Sequence, residues 1–272
     1  MKIDTTKYKT KKELFDFLMA NKQFIIDQKK AEIKKGDVFS IQTYEKISEI
    51  SEKAEKNIDE NANEIQVTII VNSTNLLDSH DDVHIPGIWN KTLNERQGRF
   101  YFLQEHQNDF DHLIAKGSDL QVFTKNYKWS DLGFAYAGET EALVFQAKVK
   151  KNINPKMFDM YKNGYITEHS VGMQYVKLEL AINDNDYGKE YQTWEKYYNK
   201  KANKEKALEL GYFWAVLEAK LYEGSAVLSG SNFATPTLEI TTPSNDTGDN
   251  EKSEVSNTKK GAKFIRNLLL NS

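Results

Sequence analysis

No cysteine occurs among the 272 residues. The chain therefore has no disulfide, no thiolate zinc site and no cysteine nucleophile, and it suits a reducing compartment. Excess positive charge is missing too. Lys and Arg number 37 against 40 Asp and Glu, for a net charge of −3 and a pI near 6.0. General nucleic-acid binding has no electrostatic footing on such a chain. No apolar run approaches the roughly 18 residues that cross a bilayer. The opening MKIDTTKYKTKKELFDFL has charges where a signal peptide needs its apolar stretch. A protein of the cytoplasm is expected, with neither membrane nor nucleic acid as partner. Hydrophobic residues make up 39% and mean hydropathy is −0.68, so part of the length is expected to lie outside any core.

Residues 1–63 lack proline and hold one glycine, Gly36. Leu14, Phe15, Phe17 and Leu18 cluster, and Tyr44, Ile47, Ile50, Ala54 and Ile58 recur at helical spacing. The segment reads equally as a helical docking arm or as a helix packed on the same domain. From Glu64 the period changes. Ile65, Val67, Ile69 and Val71 alternate as in a half-buried strand. Further strands are predicted at Arg99–Gln104, Leu143–Val149, Ser170–Leu180 and Phe213–Tyr222, with a last one near Ala226–Ser229. Asn154-Pro155 opens a short helix through Lys162 that Gly164 ends. The fold class that follows is mainly β with peripheral helices, an α+β core over 64–240. Residues 181–210, polar and partly helical, read as an insertion between two core strands. Residues 241–272 read as a disordered tail with a short apolar stripe at Phe264, Ile265, Leu268 and Leu269.

Three places could carry chemistry. Asp78–Gly87 is dense in His and Asp, which suits a metal, although H-E-x-x-H is absent and turn residues before Pro-Gly also suit a connector. His106 follows the apolar strand Phe102-Leu103-Gln104, so a rigid element would hold a natural general base. Ser170-Val171-Gly172 opens another strand, where glycine two residues on leaves the hydroxyl sterically open. Serine needs an adjacent base to become a nucleophile. No G-x-S-x-G elbow is present, so an α/β-hydrolase is not indicated.

Taken in order, these motifs resemble the prohead proteases of tailed bacteriophages, relatives of the herpesvirus assemblins. The resemblance covers about residues 64–240. It rests on Asp78–Gly87, on His106 followed by Leu113-Ile114-Ala115-Lys116-Gly117, on Gly164 then Ser170-Val171-Gly172, and on Leu221–Val227 followed by Gly230-Ser231-Asn232. It implies an assemblin-like antiparallel β-barrel and a serine endopeptidase without metal or cofactor. Ser170 would be nucleophile, His106 base and Glu223 the group that orients the imidazole; Asp109 and Asp111 compete for that last role by proximity. The implied substrates are the scaffolding protein, the major capsid protein and the chain itself, cut inside an assembling prohead in the host cytoplasm, with self-association there. His169, beside the serine, should point to the opposite strand face. Two rival readings stand beside it: a metal-dependent hydrolase using His80, His84, His106 and His112, and a non-catalytic assembly protein that keeps the protease fold.

Overall fold

The computed structural model describes residues 3–34 and 55–243. The helical spacing at Tyr44, Ile47, Ile50 and Ala54 and the expected tail with its apolar stripe lie outside the described residues; Ile58, the last of that stripe, is described and follows a strand at Glu55–Asn57, where the spacing predicts a helix. Described residues up to Thr242 belong to one compact unit, in which no helix is long and apolar enough to cross a membrane.

The N-terminal residues supply two helices, α1 (Lys11–Ala20) and α2 (Lys22–Ala31). Thr10 caps α1 by accepting from Glu13 N at 3.2 Å, worth about 1 kcal/mol. Their apolar stripe is too wide for a solvated helix. Leu14, Phe15, Leu18, Ile25 and Ile26 are buried in the same core as Ile65, Phe102 and Trp214. The described part of this segment is thus packed on the domain and is not a separate arm.

Eleven strands form two sheets among the described residues. One contains β1 (Ile33–Lys34), β4 (Asp82–His84), β5 (Tyr101–Gln104), β6 (Leu113–Lys116), β9 (Glu168–Ile182) and β10 (Tyr212–Val227). Its order is β1-β9-β10-β5-β6, with β4 also on β10. The other joins β2 (Glu55–Asn57), β3 (Glu64–Ser73), β7 (Leu120–Lys128), β8 (Glu139–Lys150) and β11 (Thr237–Thr241) in the order β2-β11-β3-β8-β7. The expected barrel does not form. One edge of β10 goes to β9, the other is shared end to end by β4 and β5, both parallel to it, and neither sheet returns to its first strand. The architecture is mixed α/β with strands predominating. The sheets touch where Gly224 lacks a side chain: a Cβ there would lie 2.6 Å from Phe145 of β8. The last strand expected at Ala226–Ser229 is the end of β10 and not a separate element.

Between β4 and β5 lies α3 (Asn90–Arg96), and before β9 lies α4 (Pro155–Lys162). Asn154 caps α4, its side chain accepting from Met157 N at 3.0 Å. The 181–210 segment connects β9 to β10 through α5 (Gly188–Tyr198) and α6 (Lys204–Leu210). Its Trp194, Tyr197 and Ala207 pack on Phe213 and Ala215, whereas Trp214 and Val216 face the main core.

Lys201, between α5 and α6, is buried with no hydrogen-bond acceptor for its side-chain nitrogen among the described residues. Its Nζ lies 3.0 Å from the ring centroid of Phe213, with Trp194 and Tyr198 at 5.6 and 5.7 Å. Burial lowers its pKa from 10.5 to about 6, because aromatic faces replace only part of the lost hydration. The unfolded chain holds the extra proton between those values, so stability rises with pH across that window. Lys201→Met is expected to raise Tm at pH 7 by about 5 °C, at roughly 2–4 °C per kcal/mol for a domain of this size. It should also flatten the rise in Tm from pH 6 to 9. Parallel Tm–pH curves for the two proteins would refute this.

Candidate active site

Two consecutive residues after β5, Glu105 and His106, have left-handed backbone with φ of 50° and 56°. Side chains with a Cβ rarely adopt it, at a cost of about 1–2 kcal/mol each. Bonds to β10 hold the turn. Glu105 N donates to Ala226 O at 2.9 Å, and His106 N donates to Ser225 Oγ at 3.2 Å. The turn folds His106 back over β10, where its Nδ1 lies 2.6 Å from Glu223 Oε1. Ser225 Oγ donates to the other carboxylate oxygen at 2.7 Å. A carboxylate at Nδ1 calls for the proton there and leaves Nε2 as the basic nitrogen.

Glu223 reaches this position through a break in register between Leu221 and Glu223. With strict alternation both would face the same side, and Leu221 faces the core. Helix α3 holds the irregularity open. Thr92 Oγ1 accepts from Leu221 N at 3.2 Å, and Arg96 Nη1 donates to Leu221 O at 3.1 Å. Beyond it Gly224 and Ala226 face inward, and Glu223 and Ser225 face the other way.

Ser170 pairs with Ser225 across β9 and β10, and Gly172 pairs with Glu223. Residues directly opposite on one face have Cβ atoms about 5 Å apart. The register thus brings Ser170, Ser225 and Glu223 to one patch, with His106 above Glu223. Ser170, His106 and Glu223 are 6%, 8% and 8% exposed, a site nearly closed to solvent. No described residue hydrogen-bonds the Ser170 hydroxyl. Gly172 makes the arrangement possible, since a Cβ there would lie 2.0 Å from Glu223 Oε1. Gly172→Ala is expected to push the carboxylate off His106, with about 1–3 kcal/mol of destabilisation from overpacking. A melting temperature equal to the parent's would show that the strand accommodates the methyl group without moving Glu223.

The competing residues fall elsewhere. Asp109 accepts from its neighbour His112, Oδ1 to Nδ1 at 2.6 Å, at an exposed turn, and Asp111 is exposed. His169 is buried on the core face, with Nε2 2.9 Å from Tyr161 Oη and Nδ1 2.8 Å from Thr235 O. Among the described residues, no three His, Asp or Glu side chains gather as metal ligands. His80 and His84 border one recess, and His106 and His112 lie on the turns that follow β5. His84, in β4, has Nδ1 2.7 Å from Asn72 Nδ2 and Nε2 3.1 Å from Tyr175 Oη. Asp78 is a turn residue: its Oδ1 accepts from His80 N and Asp82 N at 2.8 and 2.9 Å. A larger hollow lies beside Tyr136 and Lys204 and includes none of the three candidates.

Burial lowers the pKa of both His84 and His169 from 6.5 to about 4. Each is neutral in the folded protein and charged when released into acid. The stability they contribute is present above pH 6.5 and is lost as pH falls through 4. Denaturant titrations are expected to show falling stability between those values, with uptake of up to two protons on unfolding from these residues. A flat profile across that range would exclude it.

Sequence reasoning overlooked Ser225, which ties the His106 turn to Glu223. The Glu-x-Ser step of β10 was its signal, since positions two apart share a strand face. No family model matches the chain, and neither does any curated protein or solved structure. The functional reading therefore rests on this geometry and on the motif order.

Proposed function

We propose that this chain is a serine endopeptidase that cleaves the scaffolding protein and the N-terminal segment of the major capsid protein during prohead maturation, working as part of the assembly inside the prohead. The observation that carries the reading is the 2.6 Å contact between His106 Nδ1 and Glu223 Oε1, made over a glycine two residues beyond a serine to which no described residue hydrogen-bonds. Packing alone asks for none of these features together. The choice of substrate and viral setting rests on the order of the four motifs, as does kinship with assemblins, for which the architecture offers open sheets in place of a closed barrel.

In the proposed mechanism His106 Nε2 takes the Ser170 proton as Oγ attacks the scissile carbonyl. Glu223 stabilises the imidazolium, which then protonates the leaving amine. Water repeats the sequence on the acyl-enzyme and frees Ser170. The reaction needs no metal or cofactor. The test is a fluorophosphonate, which captures an activated serine, applied to the full chain alongside co-expression with its capsid protein. Labelling at Ser170 with capsid cleavage is expected. A folded chain that neither takes the label nor cuts the capsid protein would favour the non-catalytic assembly role.

A further inference from the structure

Ser225 stands in β10 between two paired strands. Ser170 of β9 lies opposite it across one edge, and Leu103 of β5, just before the His106 turn, lies opposite it across the other. Its side chain is fully buried. A serine hydroxyl has one hydrogen to give and lone pairs that receive others. The backbone N–H of His106 can only donate, so Ser225 Oγ accepts from it at 3.2 Å. The hydroxyl hydrogen is thereby left for Glu223 Oε2, 2.7 Å away. Glu223 Oε1 in turn meets Nδ1 of the same histidine at 2.6 Å.

Three residues therefore close a ring of hydrogen bonds, from the His106 backbone through Ser225 and Glu223 to the His106 imidazole. Each link fixes a freedom that the others leave. The terminal torsion of a glutamate is soft, and a contact at Oε1 alone lets the carboxylate plane turn about it. The Ser225 bond at Oε2 stops that rotation. The left-handed backbone of Glu105 and His106 is tied to β10 at Glu105 N by Ala226 O, 2.9 Å away. That bond sets where the turn begins, and the Ser225 bond sets how high His106 stands over the strand. A serine buried for packing alone needs one partner for its hydroxyl. This one has two, and both lead to His106.

We propose that Ser225 is a positioning residue of this site, setting the plane of the Glu223 carboxylate and the height of the His106 ring together. The inference rests on the endopeptidase reading above and adds a fourth residue to it. Ser225 works through Glu223 and His106 without touching the substrate. Its loss belongs to the chemical step, because a catalytic group misplaced by about 1 Å costs roughly 100-fold in rate.

The test compares Ser225→Ala, Ser225→Thr and Ser225→Val in the full chain, each checked for its fold by circular dichroism. Threonine and valine fill the same volume, so their difference isolates the hydroxyl from the cost of an added methyl group. At saturating fluorophosphonate, labelling of Ser170 is expected to slow about 100-fold with alanine or valine. The reagent concentration that gives half the maximal rate should stay within about twofold, since binding is not what changes. Threonine keeps the hydroxyl and is expected to label at least about tenfold faster than valine. A valine variant as fast as threonine, or an alanine variant as fast as the parent, would overturn the proposal. A second readout does not depend on catalysis. In isotopically labelled Ser170→Ala protein, the hydrogen between His106 Nδ1 and Glu223 should give a separate downfield proton resonance. Adding Ser225→Ala should move that resonance upfield or broaden it away, and adding Ser225→Thr should not. Its absence before the second substitution, or its persistence unmoved after Ser225→Ala, would sink the ring. A resonance that moves as expected in a chain whose parent takes no fluorophosphonate would leave Ser225 holding the pair and remove the endopeptidase reading.

Discussion

Ser170→Ala is expected, on the proposed mechanism, to lower capsid-protein cleavage by about four orders of magnitude or more, the scale on which losing a serine nucleophile acts. The folded protein should barely notice. No described residue hydrogen-bonds the hydroxyl, so truncation strands no donor or acceptor among them. Alanine fits the strand position opposite Ser225, and Tm should stay within about 2 °C of the parent on the scale of neutral substitutions. Cleavage is read from the capsid band on co-expression, and the fold from circular dichroism and melting. A folded variant that still cuts would remove Ser170 from the chemistry and turn attention to Ser225, whose hydroxyl donates to Glu223.

Glu223→Gln is expected to reduce kcat by about 10³-fold, within the range found when a triad carboxylate becomes an amide, and to leave KM within about threefold. The amide keeps the volume over Gly172. What disappears is the negative charge that, in the proposed mechanism, stabilises the imidazolium, a state present only while His106 holds the serine's proton. The loss therefore appears in the chemical step and not in binding. Glu223→Ala should add a stability defect of about 1–3 kcal/mol, because His106 Nδ1 and Ser225 Oγ lose their shared acceptor. A Gln variant with full kcat would mean that the 2.6 Å contact serves packing, and that His106 is oriented by something else.

Local chemistry was legible in the residues alone. Alternation from Ile65 to Val71 matches β3, and Asn154-Pro155 with Gly164 brackets α4, because side-chain period, caps and fixed φ act over a few residues. The candidates Ser170 and His106 could be picked out by side-chain type and by their place at strand ends. Strands β1, β2, β4, β6, β7 and β11 were not anticipated. β4 and β6 have three and four residues, too short for a period to emerge. β7 carries Lys125, Asn126 and Lys128 on an edge where polar residues are tolerated. Glu223 came from motif resemblance, and nothing in its neighbourhood marked it as different from any strand glutamate.

What the sequence determined by itself is the identity and local setting of the groups: a serine with glycine two residues on, a histidine after a strand, an acid and a serine two apart. Only the tertiary structure decided that the histidine and the acid meet and that the serine shares their strand register. The contact between His106 and Glu223 spans 117 residues. It depends on a left-handed turn at Glu105-His106 and on a register break at Leu221–Glu223 held by Thr92 and Arg96. The same holds for the N-terminal helices, whose apolar stripe fits a docking arm and a domain helix equally until a sheet is there to cover. Periodicity says which face of an element wants burial. Register, bulges and left-handed turns, which say what that face meets, are set by long-range pairing energies that no short stretch of residues contains.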